Sequence, residues 1–351
     1  MQTQIKTGLV GATGYTGMEL ARLMIRHPVF ELVLATSRKE AGQTLVDIFP
    51  HLQATALGDV PIVQPDPDLL ADQCDLVFLA VPHGTAMNIA AELVARKVRV
   101  VDLSADFRLR DPAIYESWYT VEHTQRDLLP EAVYGLPELY EEAIRGADLI
   151  ANPGCYPTSA ILGLYPALTS GLIETRGIVV DSKSGATGAG RKPGLSSLFC
   201  EVNDNFRAYN LGRHRHTPEI EQEVSVAAKS DITLSFNTHL IPMDRGILST
   251  TYTRLVRPVT LDAVHDLFSR FYAEKPWVRV LPKGTLPQTK WVRGTMFCDI
   301  GLAVDPRTER LIIVSAIDNL CRGASGQALA NANLMYGLNM DLGLTLGTLI
   351  P

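Results

Sequence analysis

The segment that most restricts what this chain can fold into lies at its start. Thr7-Gly-Leu-Val10 is a short strand-like run that meets Gly11-Ala12-Thr13-Gly14-Tyr15-Thr16-Gly17, and Met18–Ile25 then shows apolar residues at helical spacing. A strand, a glycine turn and a helix in direct succession form the first half of a βαβ unit. The glycines let the backbone approach a bound group closely, and the helix N-terminus behind them favours the charge of a pyrophosphate. The spacing is GxxGxxG, not the GxGxxG of the usual dinucleotide fingerprint, and a tight structural turn would use the same glycines. The strand–turn–helix context favours the dinucleotide site.

The next hundred residues keep the alternation of strand and helix. The strand Glu31–Ala35 ends in Thr36-Ser37-Arg38-Lys39, where an NAD site normally places a carboxylate; a hydroxyl beside Arg suits a 2′-phosphate, so Ser37 and Arg38 favour NADP. Asp75–Val81 is a continuous apolar run, as in a parallel strand buried on both faces, and it ends in Pro82-His83-Gly84 before the helix Thr85–Leu93. His83 reads as structural, placed where a cofactor or a turn would need it. Val98–Ser104 is a further strand, leading into Ser104-Ala-Asp-Phe-Arg108. Strands alternating with helices, with candidate residues just past strand ends, predict a doubly wound, Rossmann-type parallel α/β sheet.

From about Ala151 the texture changes. Gly177–Ser182, Asp231–Phe236 and Ile247–Arg254 look like strands, Leu261–Tyr272 like an amphipathic helix, Leu311–Ile317 like a strand and Gly326–Asn339 like a long helix. The expectation is a nucleotide domain over residues 1–150, completed by a C-terminal helix within about 320–351. An α+β catalytic and oligomerisation domain would fill 151–319, its sheet facing a partner subunit. A chain of 351 residues suffices for two such cores. With 46% hydrophobic and 20% charged residues, a net charge of −6 and no block of like charge, neither a nucleic-acid groove nor a membrane patch is indicated. Nothing resembles a signal peptide or a bilayer-spanning stretch. Five widely spaced cysteines argue against a disulfide framework and a CxxC zinc site, and fit a reducing cytoplasm.

Chemistry concentrates in four stretches. In Ile150-Ala-Asn152-Pro-Gly-Cys155-Tyr-Pro-Thr158 an apolar run ends in a Pro-Gly turn that presents Cys155, and Thr158–Tyr165 reads as a helix that Pro166 kinks or stops. A thiol near a helix N-terminus is biased toward thiolate, which suits a nucleophile; a small buried cysteine is the plain alternative. Ser182-Lys183-Ser184-Gly185-Ala-Thr-Gly-Ala-Gly-Arg191-Lys192 places three glycines and three cations in what reads as one anion-binding loop. Arg213-His214-Arg215-His216 runs into Thr217-Pro218-Glu219, where Thr217 suits an N-cap and Pro218 the first helical position. Two histidines without further partners do not make a metal site, so none is expected. Asp318-Asn319-Leu-Cys-Arg-Gly323-Ala324 is a polar loop between a strand and a helix, suited to a second cofactor contact, with Cys321 read as packing.

Together these residues resemble the N-acetyl-gamma-glutamyl-phosphate reductases of arginine biosynthesis, and through them the aspartate-semialdehyde dehydrogenases. The match extends over nearly the whole chain, through Gly11–Gly17, Asp102–Arg108, Asn152–Thr158, His214–Ile220, His239–Gly246 and Asp318–Ala324. Ser159 departs from the small Gly or Ala usual there, and Arg322 stands where Lys is commoner. The resemblance implies that Cys155 attacks a γ-acyl phosphate and holds a thioester, which hydride from NADPH converts to a semialdehyde. A histidine, His214 or His216, would be the acid–base, with His216 preferred for lying nearest the helix. Arg108 would clamp phosphate. Asn152, Lys183, Arg191, Arg213 and Glu219 would meet substrate. Gly11–Gly17, Ser37, Arg38, Pro82, His83, Ser184, Gly185, Asn319 and Gly323 would meet NADP. A homo-oligomer, dimer or tetramer, is expected. A sister enzyme acting on a carrier-linked substrate has a different cysteine turn. A non-catalytic regulator would leave Cys155, the histidine pair and Arg108 unexplained, and a cysteine hydrolase would leave the glycine turn unexplained.

Overall fold

The computed structural model describes residues 4–349. Two compact units form: one takes the chain up to Pro153 together with Ala324–Thr345, the other Gly154–Gly323 and the residues from Leu346.

The first unit is built on seven strands: β1 (Ile5–Val10), β2 (Phe30–Thr36), β3 (Ile62–Val63), β4 (Leu76–Leu79), β5 (Arg99–Asp102), β6 (Val133–Tyr134) and β7 (Leu149–Ala151). They pair in the order β3-β2-β1-β4-β5-β7-β6, every contact parallel. This is the doubly wound sheet the alternation predicts. All four residues of β4 are fully buried, as a strand covered by helices on both faces requires. The order reverses between β1 and β4, the switch point at which doubly wound sheets bind their ligands. The glycine turn sits there and is shorter than expected: the helix already begins at Tyr15 and runs to Met24. The last helix, Gly326–Met335, stops four residues before the expected Asn339. Gly337 adopts φ +69°, and the Gly337 and Leu338 N–H groups bond back to Leu334 and Asn333 in a glycine stop.

The second unit carries β8 (Val179–Ser184), β9 (Arg207–Tyr209), β10 (Ser235–Leu240), β11 (Ile247–Arg254), β12 (Val278–Val280), β13 (Cys298–Asp305) and β14 (Arg310–Ile317) in a mixed sheet ordered β12-β13-β14-β11-β8-β10-β9. Burial alternates along β8, β10 and β11, so one face is closed and the other half open. The helix Cys155–Thr169 packs on the closed face. It runs through Pro166, against expectation. Proline removes the N–H that would bond the Leu162 carbonyl, and the Tyr272 hydroxyl donates to that carbonyl instead, at 2.6 Å. Ser159 also finds its reason here. Its Oγ lies 2.9 Å from Ser249 Oγ and 2.8 Å from Ser315 Oγ, and Ser249 lies 2.7 Å from Ser182, a fully buried chain of hydroxyls.

Candidate active site

At the switch point of the first unit, two glycines are required by packing and one is not. A Cβ on Gly11, whose φ is +84°, would fall 2.3 Å from the Ala80 carbonyl oxygen, and one on Gly17 would fall 2.6 Å from that of Ala12. A Cβ on Gly14, the helix N-cap, would meet nothing closer than 3.8 Å. The helix opens on N–H groups with no carbonyl a turn earlier to bond, beside a glycine that the protein's own packing does not require. That combination fits a phosphate group brought against the backbone. Ala12 is buried, Thr13, Tyr15 and Thr16 are half-buried, and the Thr16 carbonyl accepts from Ser325 Oγ at 2.7 Å. At the end of β2 the Ser37 hydroxyl bonds the Glu40 carboxylate, while Arg38 is exposed. A carboxylate therefore does stand near the strand end, on a residue that the Ser37-Arg38 pattern does not include.

The Pro82-His83-Gly84 loop is held by the Asp102–Arg108 motif. Gly84 and Ala86 N–H donate to the two oxygens of Asp106 at 2.7 and 3.0 Å, and Tyr115 Oη donates to the same carboxylate at 2.8 Å. His83 Nδ1 accepts the Ala105 N–H at 3.0 Å, consistent with a structural ring. Asp102 is wholly buried; burial first, then the charge of Asp106, push its carboxyl up to about 7, against hydrogen bonds from Ser104 and the charge of Arg108.

Three residues expected to meet ligand are engaged with main chain. Arg108, 6% exposed, donates Nε to the Asn152 carbonyl at 2.7 Å and a terminal nitrogen to that of Leu103 at 2.9 Å, so it braces the strand ends rather than standing open as a clamp. Asn152 gives Nδ2 to the Ala324 carbonyl and receives Asn331 Nδ2 on Oδ1, and it is fully buried. In the second unit Asn319 accepts the Gly246 N–H at 2.7 Å and donates to Thr187 Oγ1 at 3.0 Å.

Cys155 is the first residue of its helix, and Gly154 is the cap. The Gly154 N–H is bound by Glu219 Oε1 at 2.8 Å, and Glu219 is 1% exposed. Glu219 therefore fixes the cysteine turn. The sulfur-bearing residue remains partly exposed. Gly323 packs directly on it: a Cβ there would lie 2.6 Å from Cys155 Cβ.

The histidine pair stands ahead of the helix Thr217–Ala228, with His216 rather than Thr217 in the cap position. His214 Nδ1 accepts the His216 N–H at 3.1 Å, and its ring lies edge-on to Tyr156, Tyr209 and Phe236. Burial and then Arg215 pull its pKa down to about 4. His216 approaches the same Tyr156 ring at 6.0 Å. Arg213 is exposed.

The anion loop takes another form. Ser182, Lys183 and Ser184 belong to β8, and the amides of Gly185, Ala186 and Thr187 donate to the Gly246, Met243 and Asp244 carbonyls. Lys183 pairs with Asp181 at 2.7 Å, and Arg191 lies exposed beyond. Amides already donated to carbonyls do not make an anion nest. Among the described residues no group of three or more His, Cys, Asp or Glu is arranged to hold a metal ion.

Known proteins divide the chain along similar lines. Residues 6–147 match the semialdehyde dehydrogenase NAD binding domain, and residues 155–319 match the semialdehyde dehydrogenase dimerisation domain. An N-acetyl-gamma-glutamyl-phosphate reductase of Desulforudis audaxviator is 53% identical over 99% of this chain and 100% of the relative. The chain belongs to the N-acetyl-gamma-glutamyl-phosphate reductase family. Reductases of the same name from Symbiobacterium thermophilum and Geobacter sulfurreducens are 52% and 51% identical, over 97% and 99% of the chain and 97% and 100% of each relative. Among solved structures, aspartate semialdehyde dehydrogenase II of Vibrio cholerae complexed with ASA aligns with a TM-score of 0.71 over 95% of this chain and 98% of its own, at 15% identity. Aspartate semialdehyde dehydrogenase with NADP from Candida albicans gives 0.69 over 95% and 98%, at 17% identity. The reductase family thus shares the semialdehyde dehydrogenase fold.

Proposed function

We propose that the chain reduces N-acetyl-γ-glutamyl phosphate to N-acetyl-L-glutamate 5-semialdehyde and phosphate with NADPH, in arginine biosynthesis, through a thioester on Cys155. The observation that carries the residue assignment is the partly exposed thiol at the first position of a helix whose cap N–H is fixed by a buried carboxylate. The Cys155 thiolate attacks the acyl carbon, the carbon–oxygen bond to phosphate breaks, and a thioester forms. When bound, the reduced nicotinamide supplies hydride to that carbon. His216 protonates the resulting oxyanion, then recovers the proton as the carbon–sulfur bond breaks and the aldehyde leaves. His214 is a poor carrier for that proton, because burial holds it neutral and its Nδ1 is already an acceptor. Glu219 holds the cysteine turn of the second unit, and Arg108 and Asn152 brace the strand ends of the first. Lys183, Arg191 and Arg213 supply positive charge for phosphate and carboxylate.

Gly11 to Gly17 cradle the pyrophosphate, with Pro82 and His83 along the neighbouring loop. Exposed Arg38 supports NADP, although Glu40 takes the Ser37 hydroxyl, so the 2′-phosphate depends on the guanidinium. Ser184, Gly185, Asn319 and Gly323 are the second unit's contacts for NADP. The half-open face of the mixed sheet, in the stretch matched to a dimerisation domain, is covered by a second copy, giving a homo-oligomer, dimer or tetramer. The cytoplasm is its compartment, in keeping with five cysteines that are all thiols. No helix among the described residues is long and apolar enough to cross a membrane.

The deciding experiment supplies N-acetylglutamate semialdehyde, phosphate and NADP together and follows NADPH by its near-ultraviolet absorbance. Phosphate-dependent formation is expected, and Cys155→Ser should lower it roughly a thousandfold or more with NADP affinity retained. His216→Asn should cost far more than His214→Asn. Turnover independent of phosphate, or a fully active Cys155→Ser enzyme, would overturn the reading.

A further inference from the structure

The second unit holds a basic cavity that the reaction above does not use. At one rim of the mixed sheet β8, β10 and β14 end while β11 and β13 begin: Ser184 pairs with Leu240 and Ile247, and Ile317 pairs with Ile247 and Cys298. There the loop after β10 and the short helix Thr289–Val292 enclose about 430 Å³, lined by Met243, Asp244, Arg245, Thr289, Lys290 and Arg293. The walls are fixed. Arg245 donates Nε and a terminal nitrogen to the Asp318 carboxylate at 3.0 and 2.9 Å, and the same carboxylate accepts the Gly294 N–H at 2.7 Å. Asp318 is fully buried, so one anion ties both walls together. Gly246 lets them close up, since its φ is +120° and a Cβ there would fall 2.9 Å from Thr289 Cβ. The charge, by contrast, is unbalanced. Asp318 neutralises Arg245, but among the described residues the side chains of Lys290, Arg293 and Asp244 have neither a hydrogen bond nor an ion pair. Two cations against one carboxylate leave an excess of positive charge on the lining. The Arg293 Nε–H is moreover buried with no acceptor, an arrangement that is costly unless a ligand supplies one.

We propose that this cavity binds a phosphate group, free or carried on a small molecule, held by the Nε edge of the Arg293 guanidinium and by the Lys290 ammonium. A guanidinium edge offers parallel N–H groups that match two phosphate oxygens, and an ammonium adds charge without a geometric demand. A dianion gains more from two cations than a single carboxylate does, which offsets the repulsion from Asp244. The cavity is larger than orthophosphate alone fills, so a phosphate ester of a small molecule fits as well. Binding there involves neither Cys155 nor a nucleotide, so it stands or falls apart from the reductase reading.

The test is the melting temperature of the full chain across a titration of inorganic phosphate, against potassium chloride at matched ionic strength. Phosphate should stabilise the parent beyond chloride. Arg293→Met should weaken the apparent affinity roughly tenfold and Lys290→Met about threefold, whereas Asp244→Asn should tighten it by about threefold. Lys290 and Asp244 are exposed, so those two variants keep the measurement open if Arg293→Met fails to fold. Phosphate bound elsewhere acts alike on parent and variants and cancels in the comparison. Glycerol 3-phosphate, titrated in parallel, separates the sources. Tighter binding than inorganic phosphate, lost in the same variants, assigns the group to a phosphorylated small molecule, and equal or weaker binding assigns it to free phosphate. A parent stabilised no more by either phosphate compound than by chloride overturns the proposal, as does one phosphate dependence shared by the parent, Lys290→Met and Asp244→Asn.

Discussion

Gly323 shows how tightly the reactive residue is defined from outside its own segment. It is separated from Cys155 by most of the second unit's sequence, yet no side chain fits between them. Gly323→Ala forces Cβ to within 2.6 Å of Cys155 Cβ, so the helix start or the turn must shift. Displacements of about 1 Å at a reacting group cost on the order of a hundredfold in rate. The variant should lose kcat on that scale; an unchanged kcat would show that the contact relaxes freely. At this scale the sequence discloses the residues whose role is local. Cys155 follows its own Pro-Gly turn, and the glycine turn at 11–17 follows its own strand. Glu219, Asn152 and Asn319 look like ligand-binding groups because they are polar and lie in chemical company. Their partners are the Gly154 N–H, the Ala324 carbonyl and the Gly246 N–H, 65, 172 and 73 residues away, and no local pattern announces such pairings.

At the scale of elements, the long helix carrying Cys155 depends on a compensation that proline rules alone do not foresee. Pro166 leaves the Leu162 carbonyl without its helical donor, and Tyr272, from beyond the Leu261–Phe271 helix, supplies the missing hydrogen. Tyr272→Phe strands a buried acceptor and should cost about 1–3 kcal/mol in urea unfolding. Combined with Pro166→Ala the cost should shrink, because an alanine N–H at 166 can bond the Leu162 carbonyl itself. Equal costs in the two backgrounds would mean that the hydroxyl contributes by packing only. The same non-locality explains the loop after β8. Glycines, a lysine and an arginine read as an anion nest, but a nest needs undonated amides, and the Met243–Gly246 backbone has taken them. Strand and helix existence was legible because periodicity is local. The strand ends and the Pro166 continuation were not, because pairing partners decide them.

For the whole molecule, two buried groups in different units pull the pH dependence of stability in opposite directions. In the first unit, folded Asp102 keeps its proton up to about 7, whereas an ordinary carboxyl of pKa 3.8 has released it. Folding therefore binds a proton between those limits, and stability falls as pH rises from about 4 to about 7, then levels. In the second unit, His214 is depressed from 6.5 to about 4, so the unfolded chain binds a proton that the folded one refuses. Its contribution is full above about 6.5 and is lost as pH falls toward 4. The two slopes offset over their shared range, and a single melting temperature for the parent should vary little there. Asp102→Asn keeps the Ser104 N–H bond on Oδ1 and turns an amide toward Ser104 Oγ, removing only the titration. Its melting temperature should therefore exceed the parent's by several degrees at about pH 8, and the gap should close toward about pH 4. His214→Phe should do the opposite, gaining on the parent as the solution is acidified. If calorimetry resolves two transitions, each substitution should move its own. A gap between Asp102→Asn and the parent that stays constant with pH would mean that Asp102 is already ionised in the folded protein.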